Sequence, residues 1–280
     1  MALCVCRARG YGYTEQYKIM NIFIIGFGNM GQAIAQSLRK AQLRYDISAS
    51  SLDVADFEKT TSILSAKPDN SYITLKDANA VILAVKPQDL ETAAKETKDK
   101  IQKNAILVSI AAGVTIAKIR KLFGRGKIVR VMPNIGLSVG QGISAWKSSR
   151  LSSTDEKNAR QLLNDLSENF EVNKEELIDA VTAISGSGPA YFFLFAEALE
   201  KSATALGLGE KDARALVEKT LSASASLQKG ASYEALVRKV ASKGGTTEAA
   251  LRVFKKRGLS RIVEEAAKAA FNRAQELNEK

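Results

Sequence analysis

Asn21-Ile-Phe-Ile-Ile25 runs without a break into Gly26-Phe27-Gly28-Asn29-Met30-Gly31, and a helical pattern through Ala33, Ile34, Ala35, Leu38 and Ala41 follows at once. A short continuous apolar run is what a parallel strand buried on both faces requires. Glycines at this spacing carry meaning when they leave a strand and open a helix. Gly26 permits the tight turn, Gly28 lets the backbone approach a pyrophosphate, and Gly31 allows close helix–strand packing. Free N–H groups and the positive end of the helix dipole then face the phosphates. The stretch predicts dinucleotide binding, against the alternative of a purely structural tight turn.

Outward from this stretch the alternation continues. Strands are expected at 45–49, 81–85, 106–110, 127–132 and 142–146, with helices near 53–65, 88–103, 115–123 and 153–168. Such alternation predicts a doubly wound parallel sheet. After Glu175 the strand signals stop. A long helix is expected from Pro189 to about Leu206, then helices at 210–229, 232–241 and 247–257, and a last one from Ser260 to the C-terminus. The fold class is therefore α/β, with a Rossmann-type N-terminal domain over 20–174 and a C-terminal all-α domain over 175–280. The helix after Pro189 is apolar nearly all round, so it should be buried on every side. One small domain cannot bury it alone, and a second subunit is the natural cover. Residues 1–19 show neither periodicity nor the apolar core of a secretory signal. They are expected to be an unstructured or artefactual leader, with Met20 as the natural start.

Length and composition narrow the chemistry. A chain of 280 residues suggests two domains, at roughly 150 residues each. It contains no histidine, which removes an imidazole base, a Ser-His-Asp triad and a His-ligated metal. Two cysteines, Cys4 and Cys6, make neither a disulfide scaffold nor a four-cysteine zinc site. No bound metal is expected, and the setting should be reducing and cytoplasmic. Net charge is +11, with most of the excess between residues 20 and 174. That field favours anionic ligands. It lacks the like-charge runs of a nucleic-acid arm, so no nucleic-acid partner is expected. No apolar run approaches the ~18–20 residues of a membrane span, so no membrane partner is expected either.

The second strand ends at Asp46-Ile-Ser-Ala-Ser50-Ser51, where an NAD site usually places a carboxylate for the ribose hydroxyls. Ser50 and Ser51 offer small donors and nothing to repel a 2′-phosphate, which favours NADP(H). Asp53 follows and could fold back, which keeps NAD(H) as the alternative. Ala84-Val85-Lys86-Pro87 ends another strand, where Lys86 is either a phosphate or nicotinamide neighbour or a surface cation. Asn134, after Met132-Pro133, suits a carboxamide or substrate group, or else an Asx-type turn. Two glycine-rich segments, Ser185-Gly-Ser-Gly188-Pro189 and Ser242-Lys-Gly244-Gly245-Thr246-Thr247, each lead into a helix. A glycine pair before a helix start can turn several N–H groups toward one point, a seat for a carboxylate or phosphate. The alternative at each is an ordinary helix cap.

Taken together and in order, GFGNMG at 26–31, AVKP at 84–87, MPN at 132–134, SGSGPA at 185–190 and GGTT at 244–247 resemble pyrroline-5-carboxylate reductases over residues 20 to about 275. The resemblance implies NAD(P)H-dependent reduction of 1-pyrroline-5-carboxylate to L-proline, the last step of proline biosynthesis. It also implies a homodimer through the C-terminal helices, the dimers sometimes assembling further as a pentamer of dimers. The family's dinucleotide site falls on Gly26, Phe27, Gly28, Asn29, Met30 and Gly31, on Ser50 and Ser51, and on Ala84, Val85, Lys86 and Pro87. An asparagine of that site corresponds to Asn70, one place out of register. The substrate carboxylate falls on Ser242 and the backbone of Gly244, Gly245, Thr246 and Thr247, and Thr247 matches the hydroxyl that holds the imine nitrogen, the catalytic position. Lys243 stands where relatives commonly have proline, and Ile135-Gly136 follows the MPN where they have Thr-Pro. Two other readings compete: a 3-hydroxyacid or phosphogluconate-type dehydrogenase, for which Lys201 or Lys219 would be the catalytic lysine, and a non-catalytic NADP-binding dimer.

Overall fold

The computed structural model describes residues 19–41, 44–51, 57–228 and 230–279. The expectations for the leader with Cys4 and Cys6, and for Asp53, lie outside them.

Strand β1 (Met20–Ile25) enters helix α1 (Asn29–Lys40), and the chain then forms β2 (Tyr45–Ser50), α2 (Phe57–Ile63) and the two-residue β3 (Lys67–Pro68). It crosses back to β4 (Ala80–Leu83), α3 (Leu90–Thr97), β5 (Ile106–Ser109), α4 (Ile116–Phe123) and β6 (Ile128–Pro133). The sheet ends with β7 (Ile143–Ser148), α5 (Ser153–Leu166) and β8 (Glu168–Glu171). The order across the sheet is β3-β2-β1-β4-β5-β6-β7-β8. Because successive strand residues point to opposite faces, Ile22 and Ile24 join one core with Ile34, Leu38 and Trp146. Phe23 and Ile25 join a second core with Val81, Leu107 and Phe123. Both faces are covered, which explains why β1, β4 and β5 read as continuous apolar runs.

The direction of winding reverses between β1 and β4. In open α/β sheets that switch point, beyond the carboxyl ends of the strands, is where ligands sit.

Several expectations are corrected. The sheet is not wholly parallel: β7 runs antiparallel to β6, while β8 is parallel to β7. The connection at 134–142 contains only a short 3-10 turn, Ile135–Val139, too short for the dozen or more residues of a parallel crossover. Strand β8 carries no apolar alternation and is mostly exposed, so no periodicity marked it. Strand β4 stops at Leu83, which leaves the AVKP segment in the loop after it.

The helical part begins with α6 (Leu177–Val181), a π-helical turn (Thr182–Gly186) and α7 (Gly188–Ala205). It continues with α8 (Glu210–Leu227), α9 (Tyr233–Val240), α10 (Thr246–Lys256) and α11 (Leu259–Glu279). The Ser185-to-Gly188 segment is thus helical, not a loop before a helix. Ser187 N–H reaches the Thr182 carbonyl at 2.9 Å, an i→i−5 bond that carries the helix through its glycines. One consequence bears on the membrane expectation. Leu177–Ala205 becomes a 29-residue helix holding an 18-residue window of mean hydropathy 1.2, long and apolar enough to cross a membrane by length and composition alone. In the single chain α7 is also not buried, since Phe192, Phe193 and Leu194 are 64%, 63% and 67% exposed.

Helix α11 returns to the sheet. Leu277 packs on Gly113, and Asn278 Nδ2 donates to Asp179 Oδ2 at 2.9 Å. Asp179 in turn meets Arg130 Nη2 of β6 at 2.6 Å, and Glu175 meets Arg130 Nη1 at 3.1 Å. Arg130 is fully buried, so this ion network ties sheet, α6 and the last turn of α11 into one junction.

Candidate functional site

At the switch point Gly26 has φ +94°, and a side chain there would meet the Ala84 carbonyl and Val85 nitrogen at 2.8 Å. Only glycine allows the turn after β1 to lie against the loop after β4. The hydrogen bonds follow the same seam: Ala84 N–H donates to Ile25 O at 2.8 Å, and Gly26 N–H to Ser50 O at 3.0 Å. Gly31 sits directly over the Gly26 carbonyl, which seats α1 on the turn. At Gly28 a side chain would meet nothing within 4 Å. Gly28 is the N-cap of α1, with no side-chain cap and no acidic residue in the first turn. The N–H groups of Asn29, Met30 and Gly31 therefore have no intrahelical acceptor, and the space beside Gly28 is open. This geometry fits a pyrophosphate.

Ser50 and Ser51 divide their work. Ser50 is buried, with its side chain against the Tyr72 phenol, so its hydroxyl is not free for a ribose. Ser51, at the strand end, is partly exposed and donates its N–H to Asn70 Oδ1 at 2.8 Å. The 69–74 turn delivers Asn70 to the end of the second strand. Asp69 builds that turn by accepting the N–H of Ile73 at 3.0 Å and of Thr74 at 2.7 Å, and the Thr74 hydroxyl at 2.8 Å. Burial alone would raise the Asp69 pKa, but these hydrogen bonds outweigh it and hold the group below the ordinary carboxylate value. Tyr72 takes a left-handed φ of +61° in the same turn. Its phenol is pushed above the usual value by burial and by its 3.0 Å bond to Glu96. Neither Asp69 nor Tyr72 was singled out from sequence; the Asp-Asn pair was the available turn signal. Lys86 is exposed at the start of a 3-10 turn, Pro87–Asp89.

Asn134 is occupied by the fold. Its Nδ2 donates to Ser185 Oγ at 3.3 Å, and its Oδ1 accepts Ile143 N–H at 3.3 Å. It bridges β6, β7 and the π-helical turn, which makes it a joint between the sheet and the helices.

The turn before α10 gathers Ser242, Gly244, Gly245, Thr246 and Thr247. Gly244 has φ +72°, a conformation glycine alone adopts without cost, and Gly245 lies against Ser242 Oγ. Thr246 is not the cap: Gly245 is the N-cap without a side-chain bond, and Thr246 and Thr247 are the first two helical residues. Their N–H groups precede the first intrahelical bond. Gly245 N–H closes the turn on Ser242 O at 3.1 Å. Gly244 N–H is taken by a residue the sequence reading passed over, Glu248, whose Oε2 accepts it at 2.5 Å. The structure thus forms two groupings, one at the carboxyl ends of β1, β2 and β4 and one at the start of α10. Lys201 points elsewhere, paired with Glu197 at 2.6 Å on the exposed side of α7, and Lys219 is exposed on α8. Among the described residues no cluster of three or more Cys, Asp or Glu could hold a metal ion.

Comparison with known proteins adds independent findings. Residues 175–277 match the family model described as pyrroline-5-carboxylate reductase dimerisation, and residues 21–113 match that of NADP oxidoreductase, coenzyme F420-dependent. The chain is 34% identical to pyrroline-5-carboxylate reductase of Pseudomonas aeruginosa, over 92% of this chain and 97% of that protein. It is 35% identical to the Haemophilus influenzae protein of the same name, over 94% and 98%. The crystal structure of Plasmodium falciparum pyrroline carboxylate reductase with NADP bound superposes with a TM-score of 0.81 at 26% identity, covering 92% of this chain and 98% of that one.

Proposed function

This chain belongs to the pyrroline-5-carboxylate reductase family, and from that premise we propose that it reduces 1-pyrroline-5-carboxylate to L-proline with NADPH, NADH serving less well. The observation that carries the reading is the turn before α10. A left-handed glycine, a second glycine packed on Ser242 and two uncapped threonine N–H groups form a seat for a small carboxylate.

In the proposed site the first-turn N–H groups of α1 hold the pyrophosphate, and Ser51 with Asn70 faces the adenosine ribose. Ala84 to Pro87 flank the nicotinamide side, with Lys86 adding positive charge. When bound, the reduced nicotinamide supplies the hydride. Ser242 and the backbone of Gly244 to Thr247 orient the substrate by its carboxylate, and the Thr247 hydroxyl fixes the ring nitrogen. A cyclic imine that carries its proton is already electron-poor at carbon, so no strong acid is needed and a histidine-free chain suffices. Catalysis then rests on alignment and electrostatics.

Two subunits pair through the helical part, and the exposed aromatic face of α7 supplies apolar area for that contact. We place the domain junction at 174/175, between the last strand and α6, where the dimerisation match also begins. Further assembly to a pentamer of dimers and a cytoplasmic location belong to the same proposal. The test is oxidation of NADPH followed at 340 nm. Turnover should require 1-pyrroline-5-carboxylate; activity with 3-hydroxyacids and NADP instead would overturn the reading.

A further inference from the structure

Glu248 lies three residues past the N-cap of α10 and reaches back over the first turn, so that Oε2 accepts Gly244 N–H at 2.5 Å. Its position is that of the acidic member of a capping box, but the donor it takes belongs to the turn assigned above to the substrate carboxylate. A carboxylate therefore already sits in a carboxylate seat. No other side chain caps this helix start, and Glu248 is the acidic residue of its first turn. Lys243, next to the captured N–H, is exposed.

We infer that Glu248 is an internal competitor of the substrate, a specificity-determining residue whose side chain must leave Gly244 N–H before a ligand carboxylate can take it. The inference rests on the substrate reading of the previous subsection. Two carboxylates cannot share one N–H donor, and like charges brought to the same donor repel. The competition lowers apparent affinity for carboxylate ligands by the fraction of time the turn is open; a turn open ~10% of the time costs about tenfold. It does not touch the nucleotide, nor a cyclic imine that has no carboxylate. Removing a mere cap would do the reverse, loosening the turn and weakening every ligand that uses it.

The experiment compares wild type, Glu248→Ala and Glu248→Gln, each checked for an unchanged melting transition and subunit state. For Glu248→Ala, KM for 1-pyrroline-5-carboxylate and the product-inhibition constant of L-proline should both fall, by roughly three- to tenfold if the turn is mostly closed. Glu248→Gln keeps an acceptor but no charge and should fall between. KM for NADPH and KM for 1-pyrroline, which lacks the carboxylate, should stay where they are. A KM for 1-pyrroline-5-carboxylate that rises or stays level, or an equal fall for 1-pyrroline, overturns the inference. Ser242→Ala and Thr247→Ala separate the two readings. If they leave KM and kcat for 1-pyrroline-5-carboxylate untouched, the substrate placement itself fails. If they impair turnover while the Glu248 variants give no fall, only the competitor role fails.

Discussion

Thr247 occupies the second position of α10, directly after the Gly244-Gly245 turn and in a first turn without a side-chain cap. Removing that hydroxyl should cost the contact to the ring nitrogen in the transition state. Thr247→Ala is expected to lower kcat/KM at least tenfold, about 1.4 kcal/mol, with KM for NADPH unchanged. Steady-state kinetics in both substrates check this. In the proposed site, Asp69 acts on the nucleotide through the turn that carries Asn70. Its carboxyl is held below the ordinary value in the folded chain, so its contribution is fully present above the unfolded pKa of about 4 and is lost as pH falls through the lower folded value. Asp69→Asn weakens the same hydrogen bonds at neutral pH. The expected result is a raised KM for NADPH with the imine KM unmoved, and fluorescence titration of NADPH measures it directly.

At the scale of elements, the site depends on how closely α1 sits on β1. Gly31 lies over the Gly26 carbonyl with no room for a methyl group. Gly31→Ala must push the helix away from the turn and tilt its N–H groups off the phosphates. Overpacking of this kind costs about 1–3 kcal/mol. A lower melting temperature together with weakened NADPH binding is expected, and calorimetry with a binding titration reports both. Much of this was legible in the residues. Strand β1, the glycine turn and α1 come from one apolar run and three glycines, and the GGTT turn from a glycine pair at a helix start. What escaped notice has a physical cause in each case. Strand β8 is polar because it is an edge with little to bury. The π-helical turn at Thr182–Gly186 hides in glycines that usually break helices, and it is held instead by Asn134 and the Tyr191 hydroxyl bond to Ala183. Glu248 went unnoticed because a glutamate in a first helical turn is ordinary; only its reach to Gly244 makes it matter.

For the whole molecule, the aromatic stripe of α7 is an exposed apolar surface of the single chain. Burying one large apolar side chain stabilises by about 1.5–3 kcal/mol, so a partner covering Phe192, Phe193 and Leu194 on each subunit gains substantially. Phe193→Glu should shift the protein toward monomers and reduce activity, which sedimentation velocity at several concentrations would reveal. A protein that stays dimeric with this change has its contact elsewhere. The buried Arg130 network with Glu175, Asp179 and Asn278 holds α11 and α6 on the sheet, so the helical part is anchored to the half that carries β1 and its glycine turn.

The residues alone determined the class of fold, the order of its two halves, the glycine turn after β1 and the glycine turn before α10, because each of these is set by local patterning within a few residues. Only the folded chain decided that β7 reverses, that Asn70 meets Ser51, that Ser50 and Asn134 are already engaged and that Glu248 occupies Gly244. Those facts join residues from different elements, and contacts of that kind are chosen by packing of the whole rather than by any stretch of sequence.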